Sequence, residues 1–257
     1  MQPLPKKPKV VLLANDMVGL DIAHYLKSRK ENIAALVLHP KEKATFAKEI
    51  RAVFPRPPLF LADSLRDPAT LVKIADLGAD IAISAWFGYI LKGDFINIFP
   101  SGVINFHNSY LPLNRGKYPH VWAIAKGSTY GVTLHYIDDG IDTGAIVARR
   151  IVKVLPTDIA GTLYERSLDE IIKLFKKTWP KIHKNSIKPI SQRGSATHHF
   201  AQAVKVLDRI ELKKMYRGKE IIDQLRARSF KDHSYAYFLK DGKKIYVKIS
   251  LSEKQNF

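Results

Sequence analysis

The residues best suited to chemistry lie in one short segment and one later loop. Asn105 and His107 stand two positions apart, and Asp142 opens an Asp-Thr-Gly run further along the chain. Side chains two apart in a strand share a face, so Asn105 and His107 project together while Phe106 faces the opposite, apolar layer. An amide, an imidazole and a carboxylate can stabilise an oxyanion and move a proton. The set suits acyl transfer to an external nucleophile; a core histidine with an incidental polar neighbour is the alternative.

Composition narrows the possible chemistry and location. The chain has no cysteine, which excludes disulfides, thiolate nucleophiles and cysteine-ligated zinc, and we expect no metal. Prolines, asparagines and a glycine interrupt the longest uncharged stretch, residues 95–114, so no membrane span is expected. The basic start of the chain lacks the cleavage site of a signal peptide, which favours a cytoplasmic protein.

The charge balance is strongly basic. Lys and Arg number 42 against 24 Asp and Glu, for a net charge of +18, most of it in residues 151–257. A positive field of this kind attracts nucleic acid, an anionic nucleotide ligand or an anionic membrane surface. A solvated basic surface without a partner is the alternative.

Alternating strands and helices must position these residues. Near-continuous apolar runs of strand length alternate with helical patterns, which predicts an α/β fold with a doubly wound, mostly parallel, Rossmann-like sheet. Ligands of such sheets bind outside the carboxyl ends of the strands. The predicted strands cover residues 8–16, 33–40, 81–85, 102–108, 131–138 and 145–154, and a long helix is predicted over 157–183.

The C-terminal part has a different pattern. A helical stretch over 218–228 precedes two alternating runs joined by Asp241-Gly242, a strong hairpin signal. Residues 187–200 show little regular pattern. We therefore predict a catalytic domain at 1–185, a linker loop at 186–200 and a small helix and β-hairpin region at 201–257.

The turn between the first strand and its helix is a weaker candidate site. Helix N-terminal amides favour anions, and Asn15 and Asp16 lie at this point, with Asp16 expected to cap the helix. The turn lacks the glycine triplet of a dinucleotide fingerprint. Ordinary turn chemistry is the alternative to a substrate contact.

Two strings carry a family resemblance. INFHNSYLPLNRG and the downstream GVTLHYIDDGIDTGAIV resemble the folate-dependent formyltransferases, which have an Asn, His and Asp triad and an Asp-Thr-Gly loop. The form HNSYLPLNRGKYPHVWAI is most similar to the sugar-nucleotide N-formyltransferases. The methionyl-tRNA and glycinamide ribonucleotide branches tend to carry a His-Pro-Ser type sequence, from which Asn108 departs. The resemblance covers residues 8–185, and the tail resembles the helix-plus-hairpin ending of the sugar enzymes.

The resemblance implies a reaction. It makes 10-formyltetrahydrofolate the donor and a nucleotide-linked amino-dideoxy sugar the acceptor, in O-antigen or surface polysaccharide synthesis. dTDP-4-amino-4,6-dideoxyglucose is favoured, and a 3-amino or GDP-linked sugar stays open. Asn105 would donate to the formyl oxygen, His107 would stabilise the same charge or take the amine proton, and Asp142 would orient His107 or relay the proton. The resemblance also implies a homodimer, and it implies neither a membrane nor a nucleic acid as a partner.

The resemblance also assigns binding residues. The pterin pocket would comprise Trp86, Phe87, Gly88, Tyr89, Ile90, Ile137, Asp138 and Gly140. The acceptor site would comprise Ser109, Asn114, Arg115, Gly116 and Lys117, and the turn described above would add Asn15 and Asp16. Tyr237 is an aromatic residue in a basic part of the tail, where it would either stack on the nucleotide base or pack across a homodimer interface. Core packing is the alternative for the aromatic cluster, and surface solvation is the alternative for Lys117.

Four other functions are weighed. A methionyl-tRNA formyltransferase would explain the charge but resembles a longer chain with a larger basic C-terminal domain. A glycinamide ribonucleotide enzyme would leave the hairpin unexplained, and a formylfolate hydrolase would not need Arg115 or the tail. A non-catalytic nucleic-acid-binding domain is the alternative of another class, and the complete triad argues against it.

Overall fold

A computed structural model describes residues 1–253, and its centre is a seven-stranded sheet in the order β3-β2-β1-β4-β5-β7-β8. Strands β1 to β5 run parallel, whereas β7 pairs with β5 in the antiparallel sense. This confirms the mostly parallel α/β fold. The sheet strands are β1 (Lys9–Ala14), β2 (Asn32–Leu38), β3 (Leu59–Leu61), β4 (Ile81–Ala85), β5 (Val103–His107), β7 (Gly131–Tyr136) and β8 (Ile146–Ile151).

Helices occupy most of the connections. They are α1 (Asp16–Ser28), α2 (Ala47–Val53), α3 (Pro68–Ala75), α4 (Gly93–Ile96), α5 (Pro119–Lys126), α6 (Ala160–His183) and α7 (Gly218–Ala227), with 3₁₀ turns at Ala62–Arg66 and Ala201–Leu207. Within residues 1–253, no helix is both long and apolar enough to cross a membrane. The long helix and the C-terminal helix lie close to their predicted bounds.

The chain divides into two compact units that interleave along the sequence. Unit 1 comprises Met1–His107, Thr133–Ala148 and Ile171–Gln192, and unit 2 comprises Asn108–Val132, Arg149–Glu170 and Arg193–Phe257. The chain passes from one unit to the other within β7, β8 and α6. The domain boundaries at 185 and 200 remain a prediction.

The core of unit 1 covers the sheet face that also carries Asn105. Ala82 and Val103 precede Ser84 and Asn105 by two residues on β4 and β5, so they share that face. They are buried in a cluster with side chains from β1, β2 and the segment after β4. Ser84 and Asn105 are therefore polar side chains on a face of the sheet that is otherwise apolar at this point.

Unit 2 contains the remaining short strands. They are β6 (Arg115–Gly116), β9 (His198–His199), β10 (Ser229–Phe230), β11 (His233–Ser234), β12 (Tyr237–Lys240) and β13 (Lys243–Tyr246). The β12-β13 hairpin confirms the prediction at Asp241-Gly242, where both residues have positive φ, as a type I′ turn requires. Helix α5 packs against α7.

Two local predictions differ from the structure. Asp16 was expected to cap α1, but Asn15 occupies the N-cap position. The Asp16 carboxylate instead accepts from the neighbouring Met17 N–H. Residues 187–200 contain more pairing than expected, because β9 pairs with β6 and Ile190 forms a bridge with Ile146. These pairings are long-range, so no local pattern signals them.

Candidate active site

A row of three polar side chains crosses unit 1. Ser84 on β4 is the register partner of Asn105 on β5, and Asn105 is the partner of His135 on β7. Register partners project to the same face, so the three side chains lie side by side. The Ser84 hydroxyl donates to Asn105 Oδ1 at 2.9 Å, and Asn105 Nδ2 lies 3.1 Å from His135 Nε2. The sheet order therefore places a continuous polar network on one face.

Asp142 joins this network to His107. Its two carboxylate oxygens lie 3.5 Å from His107 Nδ1 and 3.6 Å from His135 Nε2. These separations exceed those of ordinary direct hydrogen bonds, so the carboxylate lies beside both rings without a short contact to either nitrogen. The rings of His107 and His135 are 6.1 Å apart and nearly perpendicular. The structure thus brings together all three predicted catalytic residues, Asn105, His107 and Asp142.

The loop that carries Asp142 is held by its backbone. Asp142 has a positive φ of 54°. Gln192 Nε2 donates to the carbonyl oxygens of Asp142 and Gly144, each at 2.8 Å. A Cβ on Gly144 would stand 1.9 Å from the Tyr136 carbonyl oxygen, so only glycine fits there. Asp138 accepts from the Thr143 hydroxyl and the Gly140 N–H. These contacts position the carboxylate before any ligand binds.

The first predicted pterin segment follows β4. Trp86 has a positive φ of 61°, Phe87 is buried in the unit 1 core, and Ile90 is 82% exposed. His39 packs edge-on against both Phe87 and Tyr89. The Phe87 side chain is thus engaged in core packing, as the alternative interpretation of the aromatic cluster expected. Gly88 and Ile90 are the exposed residues of this segment.

The second predicted pterin segment borders a cavity whose lining does not include Asn105, His107 or Asp142. It has a volume of about 350 Å³, and Ile137 and Asp138 lie beside Pro100 and Gly102 in its wall. Pro100 and Gly102 precede β5, whereas His107 ends that strand. The assignment of Ile137, Asp138 and Gly140 to a pterin therefore stays a prediction. Among residues 1–253, no cluster of three His, Cys, Asp or Glu side chains could hold a metal ion.

The predicted acceptor loop lies in unit 2 and is paired with a distant segment. The Arg115 N–H donates to the Thr197 carbonyl and the Lys117 N–H to the His199 carbonyl, each at 2.9 Å. A Cβ on Gly116 would stand 2.3 Å from the His199 carbonyl oxygen, and Gly116 has a φ of 87°. Arg115 is half-buried and Lys117 is exposed. Backbone pairing thus fixes the course of this loop on both sides of Gly116.

Asn114 is engaged within the same loop. Its backbone N–H donates to Thr197 Oγ1 at 2.7 Å, and its amide donates to Ser128 Oγ at 3.0 Å. His199 Nε2 lies 3.1 Å from Asn114 Oδ1, and its ring stacks on Trp122 with centroids 4.2 Å apart. Burial, with further contributions from His198 and Lys126, lowers the pKa of His199, which favours the neutral ring. Asn114 is 3% exposed, and its hydrogen bonds hold the loop in place.

The other predicted contact residues are placed as follows. Asn15 Oδ1 accepts from the Thr45 N–H at 2.9 Å, and the Asp16 N–H donates to the Thr45 carbonyl at 3.1 Å. Ser109 is fully buried. Tyr237 packs against Tyr246 in the hairpin, and Lys244 Nζ lies 4.4 Å from its ring centroid. A substrate role for these residues stays a prediction.

The sequence interpretation missed Ser84, His135 and the segment around Thr197. His135 could have been found, because Thr133 and His135 alternate with apolar residues in GVTLHYID as Asn105 and His107 do in their strand. Ser84 gave no signal, since one serine in an apolar run is common. Thr197 could not be found from local sequence, because its partner Asn114 is 83 positions away.

Comparison with known families adds two matches. The family model described as formyl transferase matches residues 14–178. A second, described as the N-formyltransferase dimerization C-terminal domain, matches residues 204–253. The first match spans well over half of the chain and includes Asn105, His107 and Asp142. The second includes α7 and the β12-β13 hairpin.

Solved structures show the same fold. A 4-N formyltransferase from Francisella tularensis has a TM-score of 0.84 and 22% identity, over 97% of this chain and 100% of that one. An N-formyltransferase from Helicobacter canadensis, in complex with folinic acid and dTDP-3-aminofucose, has a TM-score of 0.72 and 23% identity over 93% and 86%. A formyltransferase from Anoxybacillus kamchatkensis, in complex with UDP-4,6-dideoxy-4-formamido-L-AltNAc and tetrahydrofolate, has a TM-score of 0.57 and 26% identity over 85% and 98%.

Proposed function

The chain belongs to the formyl transferase family, and on that premise we propose that it transfers a formyl group from 10-formyltetrahydrofolate to the amine of a nucleotide-linked amino-dideoxy sugar. The observation that carries this proposal is the polar cluster on one face of unit 1, where Asp142 lies beside both His107 and His135. The cluster combines an amide donor, imidazoles and a carboxylate. Acyl transfer to an amine needs such groups and no enzyme nucleophile.

Each triad residue has a proposed role. The sugar nitrogen forms a bond to the formyl carbon, and the bond from that carbon to the folate nitrogen breaks. Asn105 donates an N–H to the formyl oxygen as negative charge develops there, a contact typically worth about 3 kcal/mol in such sites. Asp142 orients the His107 ring through Nδ1, and the ring is the proposed proton carrier. One proton leaves the amine, and one reaches the departing folate nitrogen. His107 is the group suited to carry a proton between the two nitrogens.

The proposed acceptor class rests on the Arg115 loop and on the solved relatives. Arg115 supplies a planar fork of donors that matches phosphate oxygens, and Lys117 adds a second cation. The Helicobacter canadensis and Anoxybacillus kamchatkensis proteins are in complex with nucleotide-linked sugars. These observations favour a sugar nucleotide. dTDP-4-amino-4,6-dideoxyglucose is the first acceptor to test, and a role in O-antigen or other surface polysaccharide synthesis would follow from it.

The proposed donor is compatible with the loop after β7. Gly140 is exposed and Ile137 is half-buried, so backbone groups of this loop are available to a flat, polar ring. Asp138 already accepts from Gly140 N–H and the Thr143 hydroxyl, which keeps the loop in one conformation. In the other proposed pterin segment, exposed Gly88 and Ile90 would contact the ring more readily than buried Phe87. When bound, the folate would supply the formyl group.

Product analysis tests this function. The protein should be incubated with 10-formyltetrahydrofolate and a panel of 3-amino and 4-amino dideoxy sugars linked to dTDP, UDP or GDP, and the products identified by mass spectrometry. We expect a formamido sugar nucleotide from one of them. Release of formate without any acceptor would indicate a hydrolase. Formylation of methionyl-tRNA instead of any sugar nucleotide would contradict the proposal.

We propose in addition that the protein is a homodimer through residues 204–253. That segment matches a dimerization domain and carries exposed apolar side chains. Val206 is 72% exposed, Leu212 65% and Met215 91%. Large apolar side chains at this exposure favour a covered surface. Light scattering should report a dimer, and Leu212→Glu combined with Met215→Glu should give a monomer; a dimer that persists in this variant would place the interface away from these side chains.

A further inference from the structure

We infer that Ser84 and His135 are positioning residues that hold the side-chain amide of Asn105 in a single orientation for catalysis. The inference rests on the proposed function, in which Asn105 donates to the formyl oxygen. It goes beyond the triad, because neither Ser84 nor His135 needs to touch the substrate. The orientation of the amide is set by which atoms of the three side chains donate and which accept.

The tautomer of His135 follows from its contacts. His135 Nδ1 lies 2.8 Å from the Tyr136 carbonyl oxygen, which can only accept. Nδ1 therefore carries the proton, and in the neutral ring Nε2 is an acceptor. Asn105 Nδ2 lies 3.1 Å from Nε2 and donates to it. The carbonyl of Tyr136 thus prepares His135 to accept a hydrogen bond.

The other end of the amide is fixed by Ser84. The Ser84 hydroxyl donates to Asn105 Oδ1 at 2.9 Å. If the amide were flipped, its oxygen would face the lone pair of His135 Nε2, and both atoms would be acceptors. Ser84 and His135 are each 1% exposed, so water could not relieve that conflict. Only one of the two amide orientations is satisfied.

The fixed orientation has a catalytic consequence. An asparagine amide has two N–H groups, and His135 accepts from one of them. The other is left to donate to the oxyanion, from an amide that needs no reorientation when charge develops. Preorganised donors stabilise a transition state because the cost of orienting them is met before reaction. Ser84 and His135 should accordingly affect turnover more than binding.

Protonation of His135 would undo this arrangement. His135 Nε2 would then become a donor and face Asp142 Oδ1, which lies 3.6 Å away, instead of accepting from Asn105. Asp142 and His107 are the other titratable side chains of this cluster, and the His107 ring lies 6.1 Å from that of His135. The neutral Nδ1–H tautomer of His135 is therefore a requirement of the proposal and can be observed directly.

The first experiment measures kinetics in Ser84→Ala, with Ser84→Thr as the conservative variant. We expect Ser84→Ala to lower kcat about tenfold, less than the ~100-fold that a misplaced catalytic group can cost, with KM for both substrates within about twofold of wild type. Ser101→Ala is the matched control, because Ser101 is a buried serine of unit 1 outside the network. Thermal unfolding of each variant separates lost turnover from lost folding. Wild-type kcat in folded Ser84→Ala would overturn the role of Ser84.

The second experiment does not depend on activity. The ¹⁵N signals of the His135 ring, assigned by their loss in His135→Gln, should show the neutral Nδ1–H tautomer at neutral pH. An Nε2–H or doubly protonated ring could not accept from Asn105 and would overturn the proposal even in an active enzyme. If the wild-type protein formylates no acceptor, the proposed function fails. The His135 ring signals would still show whether Nε2 can accept a hydrogen bond from Asn105.

Discussion

Asn105 and Arg115 are ten positions apart in the sequence, yet the structure holds them in different ways. Asn105 lies in the middle of three paired strands, and neighbouring strands supply its partners Ser84 and His135. Arg115 lies in a loop of unit 2 that pairs with β9, which is more than 80 positions away in the chain. Side-chain hydrogen bonds hold Asn105 in the first region, whereas backbone pairing with β9 holds the course of the loop in the second.

This difference suggests a division of labour. A reacting group needs its donor atoms within a few tenths of an ångström, and side-chain hydrogen bonds in a sheet can provide that. A loop that recognises a phosphate needs a stable course and cations that can adjust. Substitutions in the Arg115 region should therefore change acceptor binding and leave the chemistry intact, whereas those in the Asn105 region should do the reverse.

The largest expected effect is in the triad. His107→Asn and Asp142→Asn should each lower kcat by about 100-fold or more, because a positioned acid or base contributes about 10² to 10⁴. The KM values should change much less. Circular dichroism and thermal unfolding should confirm that both variants are folded. Near-normal turnover in both would disprove the triad and remove the contrast between the two regions.

Arg115→Ala comes next. We expect KM for the sugar nucleotide to rise about tenfold, since a charge-assisted hydrogen bond to phosphate contributes roughly 1.5 to 3 kcal/mol. KM for 10-formyltetrahydrofolate should stay within about twofold and serves as the internal control. Equal losses for both ligands would argue against an acceptor role for this loop.

A smaller effect is expected from the segment that pairs with the loop. Thr197→Val removes the hydroxyl that accepts from the Asn114 N–H and should raise the acceptor KM by about threefold, since a neutral hydrogen bond contributes roughly 1 kcal/mol. Ser195→Ala is the matched control, because Ser195 is exposed in the same segment. A drop in kcat with unchanged acceptor KM would show that the segment serves the chemistry instead.

The smallest effect on activity is expected at His120, a buried residue of unit 2 outside both regions. Its substitution should change the pH dependence of stability instead. Burial, with a contribution from Arg228, lowers the pKa of His120 to about 3. The unfolded state therefore binds a proton below pH 6.5 that the folded state does not bind until about pH 3. This difference lowers the free energy of unfolding as the pH falls from 6.5 towards 3. The loss should be roughly 2 kcal/mol between pH 6.5 and 5.

His120→Phe should remove this part of the pH dependence. The ring of His120 packs among Tyr164 and Phe230, so phenylalanine suits the site. Denaturant unfolding at pH 7.5 and at pH 5 should show a smaller difference for the variant than for wild type. The same difference in both proteins would show that other groups control the acid sensitivity of unit 2. Turnover at pH 7.5 should stay near the wild-type value.

Local sequence determined the elements and part of the site. Strand and helix patterns have short periods, so six of the seven sheet strands, the long helix and the hairpin at Asp241-Gly242 could be predicted from neighbouring residues, whereas the short edge strand β3 was not predicted. The same period of two placed Asn105 and His107 on one face. Residue chemistry also singled out Asp142, but no local spacing connects it to His107, and the resemblance to the formyltransferases is what joined the three residues into one triad.

Tertiary structure alone decided the remaining contacts. Ser84, Asn105 and His135 become neighbours because of the order of β4, β5 and β7, and strand order depends on how the whole chain packs. The pairing of Arg115 with the segment at Thr197 requires the closure of a long loop. The entropy lost in that closure, and the contacts that offset it, cannot be read from the local sequence of either segment. Hydrogen bonds between side chains on different strands exist only once the register is set. The orientation of the Asn105 amide is therefore a property of the folded sheet.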